Sequence, residues 1–148
     1  MRRIHLKKIG LRLAAVSCAV VATLALTATP ALAATDNLNI TTSWGWGSAV
    51  VTWPESPYHA TYHITVNDSI TDGWCVQGRL AFYDYDGTYV SARYVTDCST
   101  DGVASSFNSE NEYFGFHSVF SATLRLCKYN PPNTYGTCQP LQYAYRTF

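Results

Sequence analysis

The chain has 148 residues, with ten Lys or Arg set against ten Asp or Glu. That balance is uneven, because Arg2, Arg3, Lys7, Lys8 and Arg12 all lie within the first 33 residues, which hold no acid. The remainder carries five cations against ten acids, a net of −5, and this charge repels a phosphate backbone and excludes nucleic acid as the expected partner.

The basic start is followed by an apolar run from Leu13 to Ala28 and by the small residues of Ala31-Leu32-Ala33. This order predicts a secretory signal peptide over residues 1–33, cleaved after Ala33. The run is too short and too rich in Ala and Thr for a membrane span, so no membrane attachment is expected after cleavage. Residues 34–148 are then one secreted, extracellular domain, with no repeat or linker to divide it. Removal of Cys18 with the leader leaves Cys75, Cys98, Cys127 and Cys138. An even number of cysteines in an exported chain predicts two disulfides, for which three connectivities exist. Nearest neighbours are the expected pairs, Cys75 with Cys98 and Cys127 with Cys138. No two of these cysteines have the close C-x-x-C spacing of a zinc site, and no metal or other cofactor is expected.

Beyond the leader, period-two alternation in segments rich in Val, Tyr, Phe, Trp and Thr predicts strands near 40–46, 48–53, 59–66, 74–84, 88–97, 103–108, 113–127 and 138–146. In the first, Trp44-Gly45-Trp46-Gly47 sets two indoles on one side of an extended chain, roughly 7 Å apart. Glycine beside each leaves an indole face open for a sugar ring or a partner protein. In the third, Ala60, Tyr62, Ile64 and Val66 share a face directed at a core, while His59 and His63 face water. Residues four apart on a strand are separated by roughly 13 Å, too far for these histidines to share a metal ion.

Asp84-Tyr85-Asp86-Gly87-Thr88 links two strands and suits a three-residue hairpin loop with glycine in the left-handed conformation. The aspartates are therefore read as a corner and not as a calcium or acid–base site. If Asp84 faces Thr88, then Phe82 meets Val90, Leu80 meets Ala92 and Gly78 meets Tyr94, all on one face. This register leaves Cys75 opposite Asp97, so a β-bulge between Arg93 and Asp97, or a strand that ends early, is expected to bring it to Cys98. Further on, Glu110 and Glu112 read as a polar loop entering a strand. Phe114, Phe116, Phe120, Ala122, Leu124 and Leu126 then share a core face, with His117, Thr123 and Arg125 pointing away. Between Cys127 and Cys138 a ten-residue loop carries Tyr129, Pro131, Pro132 and Tyr135, stiffened by its prolines and its expected disulfide.

The predicted fold is all-β, a small antiparallel β-sandwich or partly open barrel of seven to eight strands with two disulfides. The expected function is that of a non-catalytic binding or inhibitor-like module for an extracellular protein or carbohydrate, acting as a monomer. Trp44, Trp46, Tyr129 and Tyr135 are the candidate contact residues. No Gly-x-Ser-x-Gly elbow is present, and no residue is assigned a catalytic role. The competing classes are a small hydrolase using an acidic pair and a secreted antimicrobial protein. Size, β content and four cysteines are similar to those of tendamistat-type amylase inhibitors, although their Trp-Arg-Tyr triplet is absent. The tract from Trp44 to Val66, with Tyr58, His59 and His63, resembles the start of lactococcin-type bacteriocins. The cysteine-framed remainder departs from that pattern.

Overall fold

The computed structural model describes residues 33–132 and 134–147, so the expected signal peptide lies, apart from Ala33, outside the described residues. Nine strands follow in order: β1 (Ala34–Thr41), β2 (Gly45–Trp53), β3 (His59–Asp68), β4 (Cys75–Asp84), β5 (Tyr89–Asp97), β6 (Ser105–Tyr113), β7 (Val119–Asn130), β8 (Thr134–Cys138) and β9 (Gln142–Tyr145). All pairings are antiparallel. A back sheet has the order β1-β2-β3-β6, and a front sheet the order β5-β4-β7-β8, with β9 also pairing β7. The fold is thus the expected all-β sandwich, with nine strands among the described residues in place of seven to eight, and with both expected disulfides, Cys75–Cys98 and Cys127–Cys138.

Alternation builds the core. Leu38, Ala49, Val51, Tyr62, Ile64 and Val66 of the back sheet meet Val76, Leu80, Phe82, Ala122, Leu124 and Leu126 of the front sheet. Two glycines set how closely the sheets approach. A Cβ on Gly78 would lie 2.6 Å from Val66 Cγ1, and one on Gly47 would lie 2.7 Å from Leu126 Cδ1.

The hairpin corner has the expected form. Asp84 N donates to Thr88 O at 2.9 Å and Gly87 N to Asp84 O at 3.0 Å, with Gly87 at φ 82°. The bulge, however, stands elsewhere. Tyr83 pairs with Tyr89, but Phe82 already pairs with Ser91 and Leu80 with Arg93, so the extra residue is Val90 beside the corner. An arginine opposite Leu80 is tolerated because β5 is an edge strand: the Arg93 guanidinium leaves the core sideways and pairs with Glu112 of β6. From there the shifted register runs to Val76–Asp97, and Cys75 meets Cys98 with Cα atoms 4.2 Å apart.

Four other expectations are corrected. Cys127 and Cys138 enclose a hairpin and not a ten-residue loop, because β7 runs on to Asn130 and pairs with β8, and the expected strand over 138–146 shortens to β9. The first strand begins at Ala34, and a turn interrupts the expected 40–46 strand: Thr42 Oγ1 accepts from Trp44 N and Gly45 N and donates to Gly45 O. That turn swings Trp44 inward. The expected strand over 113–127 is broken at Phe114–Ser118, so Phe114 is buried against Phe82 while Phe116 is 95% exposed. A bulge where Tyr83 pairs with Ser121 and Asp84 with Val119 then sends Val119 into the core, and Phe120 leaves the phase of Ala122. Glu110 and Glu112 belong to β6 itself. An extra residue opposite Thr61, with Asn111 at φ 57°, breaks the alternation there, so Glu112 turns inward while Glu110 stays exposed. Asparagine tolerates this left-handed conformation better than other side chains with a Cβ.

Candidate binding face

Three settings of acidic side chains bear on possible chemistry. Glu112 accepts from Tyr62 Oη and pairs with Arg93, closing the sandwich edge between β5 and β6. Burial first, and then the Glu112 carboxylate, raise the Tyr62 pKa well above the ordinary 10.0. The folded state therefore holds this proton more tightly than the unfolded chain. The stability that follows is complete below pH 10 and drains away as pH climbs from there toward the folded value. Thermal unfolding between pH 9 and 11.5 is expected to show a steeper alkaline loss for the native chain than for Tyr62→Phe. Parallel profiles would refute the assignment.

A second pair is Asp68 and Asp97, both 2% exposed. Asp97 accepts from Asp68 N, Ser99 N and the Ser99 hydroxyl. Asp68 Oδ1 accepts from Ile70 N, but its Oδ2 has no hydrogen-bond partner among the described residues. Burial raises the Asp68 pKa. This residue lines a hollow of about 250 Å³ beside the Cys75–Cys98 disulfide. Asp97 does not line it, so the two carboxylates do not flank one space. The third is Asp84, whose carboxylate lies 4.0 Å from His117 Nδ1 at the hairpin corner. His59 bonds to Ser56 and His63 to Thr65. Among the described residues no group of three His, Cys, Asp or Glu is placed to hold a metal ion.

The four candidate contact residues do not form one surface. Trp44 is 8% exposed and belongs to the core, while Trp46, at 37%, stands on the outer side of the back sheet. Tyr129 and Tyr135 pair across β7 and β8 with ring centroids 5.3 Å apart, on the outer side of the front sheet.

That outer face of the front sheet carries much more than these two. Register places Tyr89, Tyr83, Ser121 and Tyr145 in one row across the sheet. The rows that follow are Ala92, Ala81, Thr123 and Tyr143; then Tyr94, Arg79 and Arg125; then Thr96, Gln77, Cys127 and Cys138. No acid occupies these rows. At one end Tyr83, Tyr85, Phe120, Ser121, Thr123, Tyr143 and Tyr145 surround a depression of about 420 Å³, with Asp84 at its rim. The rings of Tyr143 and Tyr145 stack at 6.2 Å with planes 7° apart. Beneath them, Thr123 Oγ1 is buried with no hydrogen-bond partner among the described residues. Toward the other end Gln77, Arg79, Tyr94, Arg125 and Tyr135 line a second depression of about 370 Å³. Here Tyr135 Oη donates to Gln77 Oε1, and Gln77 Nε2 donates to Thr96 Oγ1, both at 2.9 Å.

The cations of the chain divide sharply. Arg93 pairs with Glu112, Lys128 pairs with Asp72, and Arg146 is buried against backbone carbonyls. Arg79 and Arg125 are the two without a carboxylate partner among the described residues, and they stand directly opposite each other on β4 and β7. Arg79 lies 5.5 Å from the Tyr89 ring centroid and 6.0 Å from that of Tyr94. Burial pulls its pKa down, but Tyr94, Tyr83 and Tyr89 more than offset this, so it stands above the ordinary arginine value.

Of these residues the sequence reading singled out only Tyr129 and Tyr135. The available signal was the second phase of each alternation. Gln77, Arg79 and Tyr83, like Thr123 and Arg125, occupy the polar phase of strands whose other phase is apolar. The chain matches no family model, no curated protein and no solved structure in the comparisons made.

Proposed function

We propose that this domain is a secreted, non-catalytic binding module that takes a carbohydrate chain on the outer face of its front sheet. The observation that carries the reading is the aromatic lining of two neighbouring depressions on that face, from Tyr143 and Tyr145 at one end to Tyr94 and Tyr135 at the other. A sugar ring has an apolar face and a rim of hydroxyls. Tyrosine rings pack on the first, and a hydroxyl such as that of Ser121 serves the second. Among the tyrosines of the first depression the half-buried Ser121 is a small side chain that leaves a ring space to settle. Two disulfides suit an oxidising, extracellular setting.

Affinity electrophoresis through gels containing soluble polysaccharides tests this directly. Tyr143→Ala and Tyr145→Ala should each weaken retardation about 10-fold, a loss of ~1.4 kcal/mol that one stacked aromatic contact can supply. Trp46→Ala, on the other sheet, should leave it unchanged. Undiminished retardation in both tyrosine variants, or none with any polysaccharide, would sink the reading.

A further inference from the structure

We infer that the carbohydrate is an acidic one, and that Arg79 and Arg125 clamp an anionic substituent on it, a carboxylate or a sulfate. The inference rests on the carbohydrate reading and adds the ligand's charge and its direction on the face. Like charges set directly opposite on neighbouring strands repel, and here no acid of the chain stands in the row to relieve them. The other three cations among the described residues meet Glu112, Asp72 or backbone carbonyls, whereas Arg79 has only tyrosines about it to offset its burial. The Arg79 Nε is moreover buried without a hydrogen-bond partner among the described residues. With Nε enclosed and the planar fork held against the rings of Tyr89 and Tyr94, the guanidinium is oriented before a ligand arrives. Guanidinium groups bind planar oxyanions through paired hydrogen bonds, so two of them facing one depression match one carboxylate or sulfate.

Charge complementarity also favours this occupant over a neutral one. Residues 34–148 sum to −5, but no acid occupies the rows around Arg79 and Arg125, so the attraction an acidic chain meets on this face is local to that row. Arg79 and Tyr83 are four residues apart on β4, roughly 13 Å by strand rise. A chain running along the strands thus sets its charged unit over the arginines and an uncharged unit among Tyr83, Tyr143 and Tyr145. Asp84 at the rim of that aromatic end opposes the reverse orientation.

The experiment compares ligands that share a backbone and differ in their charged substituent: polygalacturonate against its fully methyl-esterified form, and dextran sulfate against dextran. A single-stranded oligodeoxynucleotide serves as an unrelated polyanion. Retardation is measured for the native chain, Arg79→Gln, Arg125→Gln and Tyr143→Ala, with far-UV circular dichroism to confirm folding. We expect at least one acidic polysaccharide to bind about 10-fold or more tightly than its neutral counterpart. Each arginine variant should remove that preference, whereas Tyr143→Ala should weaken acidic and neutral chains alike. Preference for polygalacturonate identifies a carboxylate as the group bound, and preference for dextran sulfate a sulfate. Equal binding of neutral and acidic chains, unaltered in both arginine variants, overturns the clamp while leaving the carbohydrate reading intact. Oligonucleotide binding as tight as that of the acidic polysaccharides overturns it as well. Absence of binding to all polysaccharides, with no effect of Tyr143→Ala, overturns both.

Discussion

Replacing Arg146 with alanine is expected to cost the fold about 3–5 kcal/mol, because three carbonyls lose a charged donor and each such loss costs on the order of 1–3 kcal/mol. Arg146 is 5% exposed, and burial lowers its pKa. Its Nε donates to Val119 O at 3.0 Å, and its two terminal nitrogens donate to Pro54 O and His59 O. The guanidinium also lies 5.2 Å from the Trp53 ring. Val119 belongs to the front sheet, whereas His59 and Pro54 belong to the back sheet and its β2–β3 loop. One side chain after β9 therefore ties the two layers together at one end. Truncation leaves three carbonyls without this donor and opens a hollow beside Trp53. Arg146→Lys keeps the charge but not the three-way fork, and should fall between the native chain and Arg146→Ala. Urea unfolding measures both. A loss below about 1 kcal/mol for the alanine variant would remove Arg146 as a latch.

The double replacement Cys75→Ala with Cys98→Ala is expected to cost about 3 kcal/mol, from the loop-closure entropy of a bond spanning 23 residues. For a domain of this size that is a fall of roughly 10 °C in Tm. The corresponding change at Cys127 and Cys138, which span 11 residues, should cost slightly less, because the entropy grows only with the logarithm of loop length. Both bonds lie at the same end of the front face. One fastens β5 to β4 and the other β8 to β7, so each secures a strand at or near the margin of the arginine row. Loss of Cys75–Cys98 should therefore raise amide exchange in β5 before it does so in β4 or β7. A change of less than about 2 °C in Tm would show that strand pairing alone holds that edge.

The hairpin at Asp84 shows how far local sequence reaches. Asp84, Asp86 and Gly87 specify the corner, because a left-handed glycine and two side chains that accept nearby amides leave the backbone few alternatives. The position of the bulge was not legible. An arginine opposite Leu80 is costly in an isolated hairpin, and becomes acceptable only because Glu112, 19 residues further on, arrives across the sandwich edge. Trp44 illustrates the same limit. Alternation placed it beside Trp46, but the Thr42 turn and the packing of the two sheets carry it into the core.

What the sequence determined by itself was local: the alternating strands, the turn at Gly87, the all-β class, and the partners of the four cysteines. Period-two alternation and left-handed glycine act over a few residues and need no knowledge of distant chain. Tertiary structure alone decided which strands became neighbours, and with that the binding face. Arg79 and Arg125 are 46 positions apart in the chain, and either alone reads as an ordinary solvated arginine. They face each other because β7 returns to pair with β4 after the chain has crossed to the back sheet for β6. That pairing is selected by burial of Leu80, Phe82, Leu124 and Leu126 on the opposite side of the same strands, so the apolar phase fixes what the polar phase brings together.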